Sequence, residues 1–360
     1  MENPAHRMHR SRRLIAAVAG LLLGGGCASP RTTGAGVGVA IAGGSVSGTL
    51  AMPYVEAPTV SFALDRIDQH VLPLDHTYRH YGSGRGVTVY VFDGGVLATH
   101  PELAGRVRAG YDAFPGEARL CNAHGTAVAG AVAGTTLGVA PEAEIVDVKM
   151  VECRQMRGTI DAIVDGARWV MADHARHPER RAIANWSFIA DTSAPVPALD
   201  SAVARLVAAG IPVVVSAGNV EENACQISPA NAPGTIVVGA SRVRRARDSE
   251  GELLDARVPG TAYGRCLNVF APGDSVLLPS FAEGAQPTTQ LWTGTSMATG
   301  YVSGAIALFL QAHPFATVEE VSEHISSTSS AAGVDDRSPL AGMLYVGPAT
   351  KGPAALVARR

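Results

Sequence analysis

Charge is scarce in this chain. Of 360 residues 17% are charged, and they nearly cancel to a formal net charge of −3. Such a surface offers no basic field for phosphates, which argues against a nucleic-acid partner. Cysteine is limited to five residues with no Cys-x-x-Cys pair, which argues against metal binding by the thiols. No repeat or low-complexity tract dominates. The N-terminal apolar run, Leu14–Leu23, is ten residues long, well short of the about twenty that cross a bilayer as a helix. No Gly-x-Ser-x-Gly motif surrounds Ser296, which argues against a typical esterase elbow.

What is present is apolar and glycine-rich, 47% hydrophobic with 40 glycines, enough for one large α/β domain. Strand patterns at 87–93, 144–149, 211–217 and 235–240 alternate with helical patterns at 124–134, 159–176, 197–209 and 296–312. This alternation predicts a mostly parallel sheet with helices on both faces, a three-layer αβα fold.

Four polar residues stand where that fold places chemistry. Ser296 follows the small-residue turn Gly294-Thr295 and opens a buried helical run, so unpaired backbone N–H groups at a helix N-terminus surround it. His124 opens another small-residue helix, in Asn122-Ala-His-Gly-Thr. Asp93 closes the β-branched and aromatic run from Val87 to Phe92, and Asn219 closes Ile211-Pro-Val-Val-Val-Ser-Ala-Gly. Strand ends of this kind face the crevice in which open α/β sheets bind their ligands. Each residue alone has an ordinary structural reading, as a cap or a turn. Together they supply a nucleophile, a base, an orienting acid and an amide donor, in the chain order Asp, His, Ser known for subtilisin.

From about Ser61 to Val346 the chain resembles the subtilisin-like serine proteases, and within them the proteinase K and aqualysin branch. The motifs that carry the likeness are Asp93-Gly94-Gly95, His124-Gly125-Thr126, Ser216-Ala217-Gly218-Asn219 and Gly294-Thr295-Ser296-Met297-Ala298, with Ser228-Pro229-Ala230, Val237–Ser241 and Phe270-Ala271-Pro272-Gly273. The resemblance implies a serine endopeptidase acting through an acyl-enzyme. Ser296 would attack, His124 would carry the proton and Asp93 would hold the imidazole. The Asn219 amide and the Ser296 N–H would bind the oxyanion. Ser187, Phe188 and Ile189 would form one wall of the primary specificity pocket, and Ser216, Ala217 and Gly218 the other. Four cysteines allow three connectivities, and the resemblance selects Cys121–Cys153 and Cys225–Cys266.

Departures from the family pattern set further expectations. Gly300 stands where the family has proline, and would loosen the turn behind the nucleophile. Ile189 stands where the family has glycine, and would shrink the pocket mouth. Ala127 and Gly94 replace a second histidine and a hydroxyl residue. Arg154-Gln-Met-Arg-Gly158 replaces a Gly/Ser-rich substrate strand. Gly300 and Ile189 also motivate an alternative, a catalytically impaired pseudoprotease acting as a peptide-binding or scaffold protein. The chemistry implies no cofactor. A family calcium site would use backbone carbonyls around Pro233 and Thr235 and the side chain at 268, where a neutral Asn268 weakens it. The charged segment Arg242–Gly260 reads as a mobile solvated loop.

The N-terminus reads as a targeting signal. Arg7, Arg10, Arg12 and Arg13 precede the apolar run, and Gly24-Gly-Gly-Cys27 follows it. Small residues before a cysteine resemble a bacterial lipoprotein signal, with lipidation at Cys27; ordinary signal cleavage nearby is the other reading. Either implies export, to the bacterial cell envelope or the medium, with membrane contact only through a lipid. The expected organisation is a signal at 1–27, a Gly/Ala-rich leader at 28–55, too short for a folded inhibitory propeptide, a catalytic domain at 56–347 and a flexible tail at 348–360. The expected partners are protein or peptide substrates, and the expected state is a monomer.

Overall fold

The computed structural model describes residues 50–190, 195–246, 252–330 and 334–347. The expected signal with Cys27, most of the leader and the tail lie outside the described residues.

One nine-stranded sheet organises the chain. In chain order its strands are β1 Val87–Asp93, β2 Val107–Asp112, β3 Glu144–Lys149, β4 Arg181–Trp186, β5 Val213–Ser216, β6 Thr235–Arg245, β7 Leu253–Arg257, β8 Leu267–Pro272 and β9 Gly342–Met343. Across the sheet the order is β9-β8-β6-β5-β4-β1-β3-β2, with β7 paired to β6. All pairings are parallel except β6–β7. The helices are α1 Phe62–Ile67, α2 His124–Ala133, α3 Ile160–Arg176, α4 Pro197–Ala208, α5 Thr295–Ala312 and α6 Val318–Thr328. Helices α2 and α5 pack together on one face of the sheet, and α3 and α4 on the other. The fold is thus the expected three-layer αβα architecture.

The central strands are buried on both faces, so they read as continuous apolar runs; every residue of β1 is buried. Alternation along β1 sends Phe92 toward Gly166 of α3 and Asp93 toward Gly125 of α2. The next strand in sequence to join β1 on one side is β3, and on the other β4. The chain therefore reverses direction across the sheet at β1, and the crevice this opens lies beyond the carboxyl ends of β1, β3 and β4.

Helix α5 is apolar nearly all round and buried along most of its length. It runs unbroken from Thr295 to Ala312 through Gly300, so the loosened turn expected there is not found. A β-carbon on Gly300 would lie 2.9 Å from both the Val128 carbonyl oxygen and the Ala131 β-carbon, and one on Gly304 would lie 2.7 Å from that of Val139. These glycines are the surface against which α2 and the segment after it close on α5.

Two further expectations change. The described residues of the charged segment after Arg242 are paired rather than a solvated loop: Ser241–Arg245 pairs in register with Leu253–Arg257, and Arg66 of α1 grips Asp255 through Nε (2.8 Å) and Nη2. Both partners are buried, at 1% and 5% side-chain exposure. At the N-terminal boundary, Tyr54–Pro58 pairs antiparallel with Thr77–Tyr81, and the Leu50 N–H donates to the Ala312 carbonyl. Packed structure therefore begins before residue 56.

Candidate active site

Asp93 ends β1 and is buried. Its Oδ1 accepts the Gly94 N–H at 2.7 Å, and its Oδ2 lies 2.7 Å from His124 Nδ1. Because a carboxylate only accepts, Nδ1 carries the proton and Nε2 is left as the acceptor. Gly125 makes this pairing sterically feasible. A β-carbon there would stand 2.6 Å from the Gly95 carbonyl oxygen and 2.9 Å from the Asp93 β-carbon, so any larger residue would push α2 off the strand end.

Several contacts fix the imidazole. The His124 N–H donates to Asn122 Oδ1 at 2.9 Å, and the Trp292 ring meets the imidazole edge-on at 6.2 Å between centroids. The loop before α2 is clamped to β3, where Arg119 donates to Asp147 Oδ2 (2.8 Å) and to its carbonyl (2.9 Å). Burial pushes the Asp147 carboxyl up to about 6 against the pull of Arg119. For His124, burial disfavours the charged ring, but attraction and hydrogen bonding to Asp93 outweigh it, and its pKa is raised above the ordinary histidine value.

Ser296 is the second residue of α5 and is buried. Gly294 before it adopts φ 151°, a conformation that favours glycine. The Ser296 hydroxyl donates to the Ser187 carbonyl oxygen at 3.1 Å, and the Ser187 hydroxyl donates back to the Ser296 carbonyl at 3.1 Å. Ser187 lines the same cleft as Asp93, Asn122 and His124, a cavity of about 470 Å³. On the other side, Asn219 Oδ1 accepts from the Thr295 N–H (2.9 Å) and hydroxyl (3.0 Å). Since the N–H can only donate, the amide oxygen must face Thr295, and the Asn219 NH₂ is turned away from it, free to donate elsewhere. The Ser216 hydroxyl, 2.6 Å from Thr295 Oγ1, completes this network.

The remaining expected residues fall as follows. Phe188 and Ile189 line the cleft. Ala217 is fully buried, and Gly218 has φ 105°. Cys121 is bonded to Cys153 and Cys225 to Cys266. Arg154–Gly158 forms the turn and return strand of a small hairpin, Val151–Glu152 with Arg157–Gly158, whose Met156, Arg157 and Gly158 rim the cleft. Of the residues considered for calcium, the Asn268 side chain is already engaged within the protein. Asn268 Oδ1 accepts the Val237 N–H at 2.8 Å and its amide donates to Ser322. No group of three or more His, Cys, Asp or Glu suited to a metal occurs among the described residues. Sequence reasoning missed Thr295, Asn122 and Trp292; only Thr295, inside the Gly-Thr-Ser motif, left a signal.

Comparison with known proteins decides the family, because the model described as "Subtilase family" matches residues 84–343. The chain belongs to the subtilase family. It is 40% identical over 269 residues to the extracellular serine proteinase of Thermus sp. (strain Rt41A), covering 74% of this chain and 60% of that protein. It is 37% identical over 277 residues to alkaline serine exoprotease A of Vibrio alginolyticus, covering 76% and 48% respectively. This subtilase chain thus spans about half to three-fifths of the length of these curated relatives. Among solved structures, a cold-adapted subtilisin-like serine proteinase superposes with a TM-score of 0.68 at 33% identity, covering 81% of this chain and all of that one.

Proposed function

We propose that this subtilase is an exported serine endopeptidase that hydrolyses peptide bonds through Asp93, His124 and Ser296. The observation that carries the reading is the 2.7 Å bond between buried Asp93 and His124 Nδ1, at a cleft whose lining residue Ser187 is hydrogen-bonded to Ser296. In this mechanism the Ser296 hydroxyl exchanges its bond to the Ser187 carbonyl for one to the imidazole. Releasing that neutral bond costs about 1 kcal/mol. His124 Nε2 then takes the hydroxyl proton as Ser296 Oγ bonds the scissile carbonyl carbon, and Asp93 stabilises the imidazolium. The carbonyl oxygen gains negative charge between the Asn219 NH₂ and the Ser296 N–H, which lies in the first turn of α5 and lacks an intrahelical partner. His124 passes its proton to the departing amine, and water repeats the sequence on the acyl-enzyme.

The Ser187 bond to the nucleophile favours a second reading, a peptide-binding protein with impaired catalysis. Labelling of the folded, disulfide-intact protein by a fluorophosphonate separates the two. Labelling lost in Ser296→Ala supports the endopeptidase, and its absence in the parent supports the binding protein. Export rests on the N-terminal signal and on the extracellular Thermus relative. Lipid anchoring rests on Cys27 alone, and would be seen as incorporation of labelled palmitate that Cys27→Ser abolishes.

A further inference from the structure

Two segments converge on Ser296. Ser187–Ala190 continues β4 and is pinned at both ends, by the paired hydrogen bonds between Ser187 and Ser296 and by the Ala190 N–H on the Ser228 carbonyl at 2.8 Å. Ser216–Asn219 continues β5 and is pinned by the Ser216–Thr295 and Asn219–Thr295 contacts and by the Ala262 N–H on the Gly218 carbonyl. The family resemblance implies that the side chain of the attacked residue enters between these segments.

That space is occupied. Ile189 Cδ1 and Cγ2 each stand 3.1 Å from where a β-carbon on Gly218 would sit, so the isoleucine reaches across the gap to the backbone of the opposite wall. Resting on the endopeptidase reading above, we propose that Ile189 is the specificity-determining residue of this subtilase. It confines the residue on the acyl side of the scissile bond to glycine, alanine or serine. The preferred substrate class is therefore peptides with a small residue before the cut. Because both segments are tied to α5, Ile189 cannot withdraw by a strand shift without moving Ser296, and the bulk of the side chain itself sets the limit.

The test is a series of internally quenched peptides of one sequence in which only the residue before the scissile bond varies among Gly, Ala, Leu and Phe. The parent is expected to favour Ala over Phe by about a hundredfold in kcat/KM, the scale of discrimination that pocket size gives. Ile189→Gly should reduce that ratio about a hundredfold, and Ile189→Ala by an intermediate amount, which guards against a glycine variant that fails to fold. A parent that cleaves Phe and Ala peptides equally, or a ratio unchanged in both variants, overturns the assignment while fluorophosphonate labelling of Ser296 stays intact. Loss of that labelling in the parent overturns the endopeptidase reading itself, and this proposal with it.

Discussion

The substitution Gly300→Ala tests whether helix spacing positions the catalytic groups. Its new methyl would meet the Val128 carbonyl oxygen and the Ala131 β-carbon at 2.9 Å, whereas carbon atoms in contact ordinarily stand about 3.5–4.0 Å apart. The carbonyl belongs to α2 and cannot rotate away, so α2 and α5 must part by roughly half an ångström to an ångström. One helix carries His124 at its start and the other Ser296. A misplacement of about 1 Å between reacting groups costs on the order of a hundredfold in rate. Stability should fall less, because alanine regains about 1 kcal/mol of helix propensity against about 1–3 kcal/mol for overpacking. We therefore expect kcat/KM to drop between tenfold and a hundredfold, with unfolding free energy lowered by at most about 2 kcal/mol. Gly116→Ala is the control, since a β-carbon there meets nothing within 4 Å. Full activity and unchanged guanidinium unfolding in Gly300→Ala would refute the reasoning, by showing that the two helices accommodate the methyl without moving the groups they carry.

Other perturbations address the site and the core. Asp93→Asn should lower kcat about 10⁴-fold. In the proposed mechanism neutral His124 is the base, so activity in the parent should appear as pH rises through a value above the ordinary 6.5; without the carboxylate, burial remains and this limb moves below 6.5. The same raised pKa means that the stability His124 contributes is fully present below about 6.5 and is lost as pH rises through the folded value, which thermal unfolding across pH would read. Asn219→Ala should reduce kcat by about 10²–10³ with little change in KM, measured on one peptide substrate. Arg66→Ala strands a buried carboxylate at Asp255 and should cost about 3–5 kcal/mol in denaturant unfolding.

The central architecture was legible because each decisive residue ends a strongly patterned element. The buried run that makes β1 a strand also delivers Asp93, and the small residues around His124 and Ser296 mark the helix starts that must approach closely. Relations set between distant segments were not legible. Arg242–Gly260 carries nine charged residues, a composition that reads as solvated until the register places Asp255 opposite Val243 and within reach of Arg66. Gly300 reads locally as a weak point in a helix; only the position of α2 shows that a missing side chain is what the interface requires. The tilt of Asn219 toward Thr295, and the edge of Trp292 on His124, likewise follow from tertiary approach and leave no periodic trace.

The parallel sheet has a consequence for how activity arises. Asp93 belongs to the first strand of the sheet, Ser296 follows the eighth, and their meeting requires every intervening crossover to have closed. Long-range closures of this type make folding slow, since chain entropy is lost before contacts compensate. A partly folded chain would have strands and helices without an assembled site. The proposed proteolytic activity would then appear only in the final, compact molecule, at the stage when its own backbone is hardest to cut.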